Sequence, residues 1–341
     1  MAPNVRPFLA RLVRRLTNVD ATDHATPEQQ QGMRMLWLDG ILASASTAFY
    51  AEFVVLYMLA LGASATVIGL RASINGAAAL AAPMIGAYLV ARSGARKRWV
   101  LWGPGGVSRL ALLAMAAVPL VFRGPAAVWG FVALLSLQAF ASAVGMPAHH
   151  SLLGDVVPLP IRGRFMGAGM MFNSIAAVLV LPVAGFLVAR IGGLSGYQVL
   201  WLLAALAGLG ATAMYWRIPE PPSEEGAATQ GGPLGGLREA WGSLRGNRPF
   251  LLFCGINFLW TVGINISGPF FTVHMVEGLG FSADTIAYLA TFTTLFNVVA
   301  LRLAGGLVDR HGAPKMTAIA MLLVPLMPLL WVFASTPVHI G

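Results

Sequence analysis

Apolar runs of twenty or more residues recur along this chain, and they restrict its fold more than any other feature. Such a run, coiled as an α-helix, crosses the ~30 Å of hydrocarbon in a bilayer. In lipid every backbone N–H and C=O needs a partner within the protein, so only helices and closed barrels can span. A barrel would show ~10-residue segments of alternating polarity, and none occurs here. Charged residues make up 10% of the chain and apolar ones 57%, against about a quarter charged in soluble domains. The expected fold is an all-α polytopic membrane protein.

The runs lie at about 35–61, 66–91, 99–121, 126–148, 164–190, 196–217, 249–275, 284–308 and 316–335. A net charge of +9 would suit a nucleic-acid partner, but its distribution points to a membrane instead. Arg92, Arg96, Lys97, Arg98, Arg162, Arg164, Arg310 and Lys315 all fall between alternate spans, and only Arg123 and Arg190 fall in the other loops. Basic loops stay cytoplasmic, so the amino terminus is expected inside. Lysine is confined to Lys97 and Lys315, a bias that suits a GC-rich bacterial genome and hence a bacterial inner membrane. Residues 1–32 are expected to form a cytoplasmic segment. Val5, Phe8, Leu9, Leu12, Val13 and Leu16 share one helical face there, with Arg6, Arg11, Arg14 and Arg15 around it, as in a helix lying on anionic lipid. No apolar core and cleavage site of a signal peptide follows. Residues 21–32 are polar and expected to be a short linker. A second linker, 218–248, opens with Pro219, Pro221 and Pro222 and carries a surface helix at 234–246. Cys254 has no second cysteine and reads as a small packing residue.

An internal repeat organises these spans. The stretch Gly305-Gly-Leu-Val-Asp309-Arg310-His-Gly312-Ala-Pro-Lys315 echoes residues 87–97 at an offset of 218 residues. Leu89, Val90, Arg92, Gly94, Ala95 and Lys97 match Leu307, Val308, Arg310, Gly312, Ala313 and Lys315, and Leu61, Gly62, Ser64, Ala65 and Ile68 match a second set from Leu279 to Ile286. An ungapped match of this length indicates duplication. It divides the chain into a six-helix bundle at 33–217 and, at 249–341, the first three helices of a second bundle. A duplicated six-span unit would continue through three more spans, so the chain reads as a truncated frame.

Six spans, a cytoplasmic linker, a repeat, and Gly-x-x-x-Asp-Arg-x-Gly-x-x-Lys between the second and third spans resemble the major facilitator superfamily (MFS) from about residue 33 onward. Asp155-Val-Val-Pro158-x-x-x-Arg162-Gly163-Arg164 is similar to the family's link between spans four and five. The chain departs from the pattern at Ala91, where the first-half motif has its acid, and at Ser136, near an arginine of many drug/proton antiporters. Pro182-x-x-Gly185 is a degraded form of the antiporters' fifth-span signature. The resemblance implies an MFS fold with a six-helix bundle and an incomplete second one, and a secondary active transporter working by alternating access. It also implies that spans one and seven line a central cavity, and that the Asp309 loop meets the start of span five when the cytoplasmic side is closed.

Charges inside spans are the first functional candidates, because each costs about 2.5–3.5 kcal/mol at a span centre. They are Asp39, Glu52, Arg71, Arg109 and Arg302. Asp39, Ala43, Ser46 and Tyr50 share a helical face in span one; the equivalent stripe in span seven is Asn257 and Thr261, with Asn265 beside it. Either these stripes line the cavity, or their hydroxyls and amides bond to helix backbones. Glu52 lies about 220° round the helix from Asp39; it is a candidate for proton coupling, or a structural partner for Arg71 or Arg109. Arg109 either attracts an anionic solute group or neutralises one of the two acids, whereas Arg302 suits snorkelling to the surface. The gate motif comprises Gly305, Asp309, Arg310, Gly312 and Lys315 with Arg162 and Arg164 opposite. Asp309 is either a latch to one of these two arginines or a local cap.

Enzyme signatures do not occur. Gly103-Pro-Gly105-Gly106 sits in an apolar run with no Lys-Ser/Thr after it, so it is no phosphate cradle, and His149-His150 lacks companions at metal-ligand spacing. No cofactor or metal is expected. The expected partners are a small organic solute, protons and lipid, with no nucleic acid, and the protein is expected to be monomeric. Export is slightly favoured over uptake on frequency alone, and a transport-inactive sensor or scaffold is the alternative. Cysteines placed at 309 and 164 are expected to cross-link in a state closed on the cytoplasmic side; failure to cross-link in every state excludes the latch.

Overall fold

A computed structural model describes residues 25–220, 246–311 and 313–323, with Leu326, Leu329 and Trp331 beyond them. The side chains of Arg164, 264–267, Pro269, 297–299, 301–306, 308–310 and 313–314 lie outside the described residues. The amphipathic helices expected at 5–16 and 234–246 fall outside them too.

Among the described residues six helices are long and apolar enough to cross a membrane: span one (Pro27–Ala60), span two (Ala65–Ser93), span three (Arg96–Val121), span four (Pro125–Val156), span five (Phe165–Ile191) and span six (Gly193–Trp216). Three further helices follow at Arg248–Val273, Ala283–His311 and Ala313–Leu323, here helices seven, eight and nine. Successive helices run in opposite directions, so the loops joining spans two to three and four to five share one end with the start of span one. That end carries Arg96, Lys97 and Arg162 and is called the basic end.

Span one begins earlier than its polar first turns suggest. Thr26 accepts the Gln29 N–H at 3.2 Å while Gln29 Oε1 accepts the Thr26 N–H at 3.1 Å, and Pro27 occupies the first turn. This capping box starts a helix inside the expected 21–32 linker. Span four likewise continues to Val156, well past its last strongly apolar stretch. Span two ends at Gly94, whose φ of +65° is the left-handed conformation that only glycine adopts without strain.

Spans one, three, four and six form two apolar cores stacked along the membrane normal. Towards the opposite end, Tyr57 meets Phe131 edge-on at 4.8 Å and both rings touch Trp201. At the basic end Met33, Leu36, Leu152, Val156, Phe165 and Ile218 pack together. Polar residues of the same spans fill the layer between. Two helix distortions adjoin that layer: a 3₁₀ turn at Ala51–Phe53 in span one and a π-turn at Gly103–Val107 in span three. The second follows from Gly-Pro-Gly-Gly, since Pro104 offers no N–H to the helical ladder and the glycines tolerate the altered backbone.

Small residues allow close backbone approach. Gly86 of span two lies against the Val144 carbonyl of span four, and Gly103 lies against that of Ala141. At the basic end, buried Arg96 (3% exposed) forms an ion pair with Asp155 (46% exposed) at the end of span four. Lys97 Nζ donates to the Ile218 carbonyl at 2.8 Å and the Lys97 N–H to Glu220 Oε1 at 3.0 Å, which ties the same loop to span six. The Arg162 guanidinium donates to the Gly154 and Val157 carbonyls, closing the last turn of span four.

Asp155→Ala is expected to destabilise the bundle by about 2 kcal/mol, less than for a fully buried pair because half of Asp155 already sees solvent. The double replacement R96M/D155L should recover most of that loss, as thermal unfolding in detergent will report. Gly86→Val places carbon against the Val144 carbonyl and is expected to cost about 1–3 kcal/mol in the same assay.

Candidate functional site

The polar layer starts from Arg109, two residues beyond the π-turn. Its side chain lies across Gly208 of span six, where a Cβ would collide with it. One guanidinium nitrogen donates to Ser46 Oγ at 3.3 Å, and the Ser46 hydroxyl donates to the Ala204 carbonyl at 2.6 Å. Asp39 and Tyr50 act on Arg109 through space. The neighbouring Ser108 turns to span four instead: Gln138 Nε2 donates to Ser108 Oγ and to the Tyr50 hydroxyl, each at 3.2 Å, and Ser142 Oγ lies 3.0 Å from Ser108 Oγ. Spans one, three, four and six are thereby joined by one hydrogen-bonded network at mid-depth.

Beside this network, in the half of the bundle nearer the basic end, lies a cavity of 650 Å³. That volume falls within the range of small-ligand sites, about 300–1,000 Å³. Span one contributes Asp39, Gly40, Ala43 and Thr47, and span three contributes Arg109. His149 and His150 enter from span four, Asn173 from span five and Tyr215 from span six. An aromatic wall completes it: Trp37 stacks on Phe165 at 5.0 Å with planes 8° apart, and meets Phe172 edge-on at 5.5 Å.

The opposite end of the bundle is closed. Phe53 and Leu56 of span one pack with Ala184 and Val188 of span five, Leu200 of span six, and Ile286 and Ala287 of helix eight. Gly185 sits directly against Ala287, so the glycine of the degraded antiporter signature serves close packing of span five on helix eight.

The sequence candidates divide accordingly. Asp39 and Arg109 line the cavity, and Arg109 acts on Asp39 rather than on Glu52. Ser46 is fully buried and spent on the Ala204 carbonyl and Arg109, while Tyr50 belongs to the network with its ring 5.3 Å from Trp201. Glu52 is exposed in the 3₁₀ turn, and neither Arg71 nor Arg109 pairs with it. Asn257 Nδ2 donates to the Phe253 carbonyl of its own helix at 2.9 Å, and Thr261 is exposed on the same helix. Arg162 is engaged by span four as described; Lys315 is exposed. Gly312 and the side chains of Asn265, Arg302, Gly305, Asp309, Arg310 and Arg164 lie outside the described residues.

Among the polar residues of the site that escaped the sequence reading are Gln138, Ser108, Ser142 and Asn173. Ser44 Oγ donates to the Asn173 carbonyl at 2.7 Å, and the Asn173 amide lies against Gly40. An amide inside an apolar run is a weaker signal than a charge, but Gln138 and Asn173 were both visible on that ground. Among the described residues no group of three His, Cys, Asp or Glu is placed to hold a metal.

Comparison with known proteins agrees with this architecture. The chain is 26% identical over 269 residues to uncharacterized proteins of Mycobacterium tuberculosis and Mycobacterium bovis, a match covering 78% of this chain and 62% of theirs. The chain thus spans less than two thirds of the length of these curated relatives. Its backbone superposes on the xylose transporter XylE from E. coli, in a partially occluded inward-open conformation, with a TM-score of 0.59 at 16% identity, covering 83% of this chain and 74% of that one. A D-xylose-proton symporter gives 0.57 at 20% identity, covering 82% and 69%. The sequence pattern of the Major Facilitator Superfamily matches residues 36–340, so this multi-pass, all-helical chain belongs to that superfamily.

Proposed function

We propose that the chain is a secondary active transporter that moves a small organic solute across a bacterial inner membrane by alternating access, coupled to protons. The observation that carries this reading is a solute-sized cavity with a polar floor at mid-depth, in a bundle whose opposite end is sealed by apolar contacts. A transporter needs such a site at the midplane and closure on one side at a time. The apolar seal suits that role, because it can part without leaving buried hydrogen-bonding groups unsatisfied. Membership of a transporter superfamily and a fold shared with a proton symporter support the same reading.

Glu52 is the proposed proton carrier. It sits in span one, next to the sealing residue Phe53, with no ion pair among the described residues to hold it in one protonation state. Asp39, facing Arg109 across the cavity, belongs to the solute site. With the basic end cytoplasmic, as its charges favour, the structure corresponds to an inward-facing state. Direction depends on whether proton and solute occupy the protein together or in turn; export corresponds to the second case. The proposed gate of Asp309 with Arg164 would close the basic end.

Purified protein in liposomes with an imposed pH gradient is expected to drive flux of at least one member of a broad solute panel. Glu52→Gln should retain solute exchange but lose the dependence on the gradient. Full gradient dependence in that variant rejects Glu52 as the carrier, and no flux for any solute favours an inactive scaffold.

A further inference from the structure

Two part-buried arginines inside the six-span bundle each keep a buried Nε without an acceptor among the described residues. A guanidinium has five N–H donors and no acceptor. Arg109 gives one of them to Ser46, and its Nε is buried without an acceptor. Asp39 acts on it through space without forming an ion pair. Arg71 of span two has neither hydrogen bond nor ion pair among the described residues, and its Nε is buried. Asn75, one turn further along span two, also keeps a buried side-chain oxygen without a partner.

These groups lie in order along the transport axis. Arg71 is six residues from the outer end of span two, or ~9 Å. Tyr50 is ten residues from the outer end of span one, ~15 Å, and Arg109 is twelve from that of span three, ~18 Å. The Tyr50 hydroxyl, held by Gln138, thus comes from a depth intermediate between those of the two arginines. The cavity is lined by one acid, Asp39, and one guanidinium, Arg109, with the imidazoles of His149 and His150 on the span-four side. A cation of this kind, desolvated and short of acceptors, is costly unless an anion completes it. A carboxylate does so best, accepting two parallel N–H groups. Gly208 adds the steric part, since the absence of a Cβ there is what allows the Arg109 side chain its position.

Resting on the transport reading above, we infer that the solute carries an anionic group of the carboxylate class. That group binds Arg109 at the floor of the cavity, and Arg71 is the second cation it meets, beyond Tyr50. The fold shared with transporters named for xylose does not decide this, because a sugar hydroxyl can accept from a guanidinium N–H but leaves its charge unbalanced.

Two matched pairs of probes test the inference at constant ionic strength: D-xylonate with D-xylose, and benzoate with benzamide, the second pair suiting the Trp37–Phe165 wall. Thermal unfolding of the purified full chain in detergent is the measurement. At least one acid is expected to raise the wild-type midpoint while its neutral twin does not. Arg109→Gln should weaken that acid by about tenfold or more, the lower range for loss of a buried charged partner. Arg109→Lys keeps the charge without the fork and should retain part of the affinity. Gly208→Ala tests position rather than charge, and should weaken the acid with Arg109 intact. Equal shifts from an acid and its twin, or an undiminished acid shift in Arg109→Gln, overturn the inference while leaving a transporter of neutral solutes. A flat wild-type response to all four probes overturns it as well, and the flux assay still decides transport independently. Should Arg109→Gln fail to fold, the Lys and Gly208 variants carry the same comparison.

Discussion

A guanidinium at mid-depth in a bundle of membrane helices is costly to place, and much of the interior of this protein is arranged around that cost. Arg109 reaches Ser46, Ser46 is held by the Ala204 carbonyl, and Gly208 makes room for the side chain. The π-turn at Gly103–Val107 sets where Ser108 and Arg109 leave span three, so that adjacent residues serve different neighbours. Apolar cores above and below flank the layer and lower the local dielectric around its buried members, Ser46, Ser108 and Gln138.

The two ends of the bundle are held by different forces. At the basic end the loop between spans two and three is tied to spans four and six by Arg96 and Lys97, and Arg162 closes span four. Such directional bonds favour one arrangement and lose energy on any displacement. At the opposite end Phe53, Leu56, Val188 and Ile286 meet through apolar contact alone. Apolar packing has no directional requirement, and surfaces of this kind can separate into lipid or a solute path without leaving orphaned donors. The contrast sets hydrogen-bonded ties within the six-span unit against apolar contact between that unit and helix eight.

Much of this was legible from residue types. Charges in apolar runs led to Asp39 and Arg109, and both line the cavity. The stripe built on helical spacing was less informative: Ser46 is spent on the backbone of span six, and Asn257 bonds its own helix. Spacing identifies a face but not which neighbour covers it, and a hydroxyl in an apolar setting bonds whichever carbonyl is nearest. Gln138 and Asn173 were not singled out because a neutral amide carries a smaller insertion penalty than a charge and stands out less. Thr26 and Gln29 illustrate a boundary error, since a polar first turn resembles a linker until the reciprocal cap is recognised.

The sequence by itself determined the helical class, the first six spans and the family pattern, because lipid penalises unsatisfied backbone so heavily that apolar run length leaves few alternatives. The basic loops likewise favoured one orientation, since charge asymmetry is a property of the chain alone. Tertiary structure decided which polar groups meet: Arg109 with Ser46, Gln138 with Tyr50 and Ser108, Arg96 with Asp155, and Gly185 with Ala287. Those pairings join residues from about 30 to more than 100 positions apart, and helix register and crossing geometry, rather than local composition, bring them within reach.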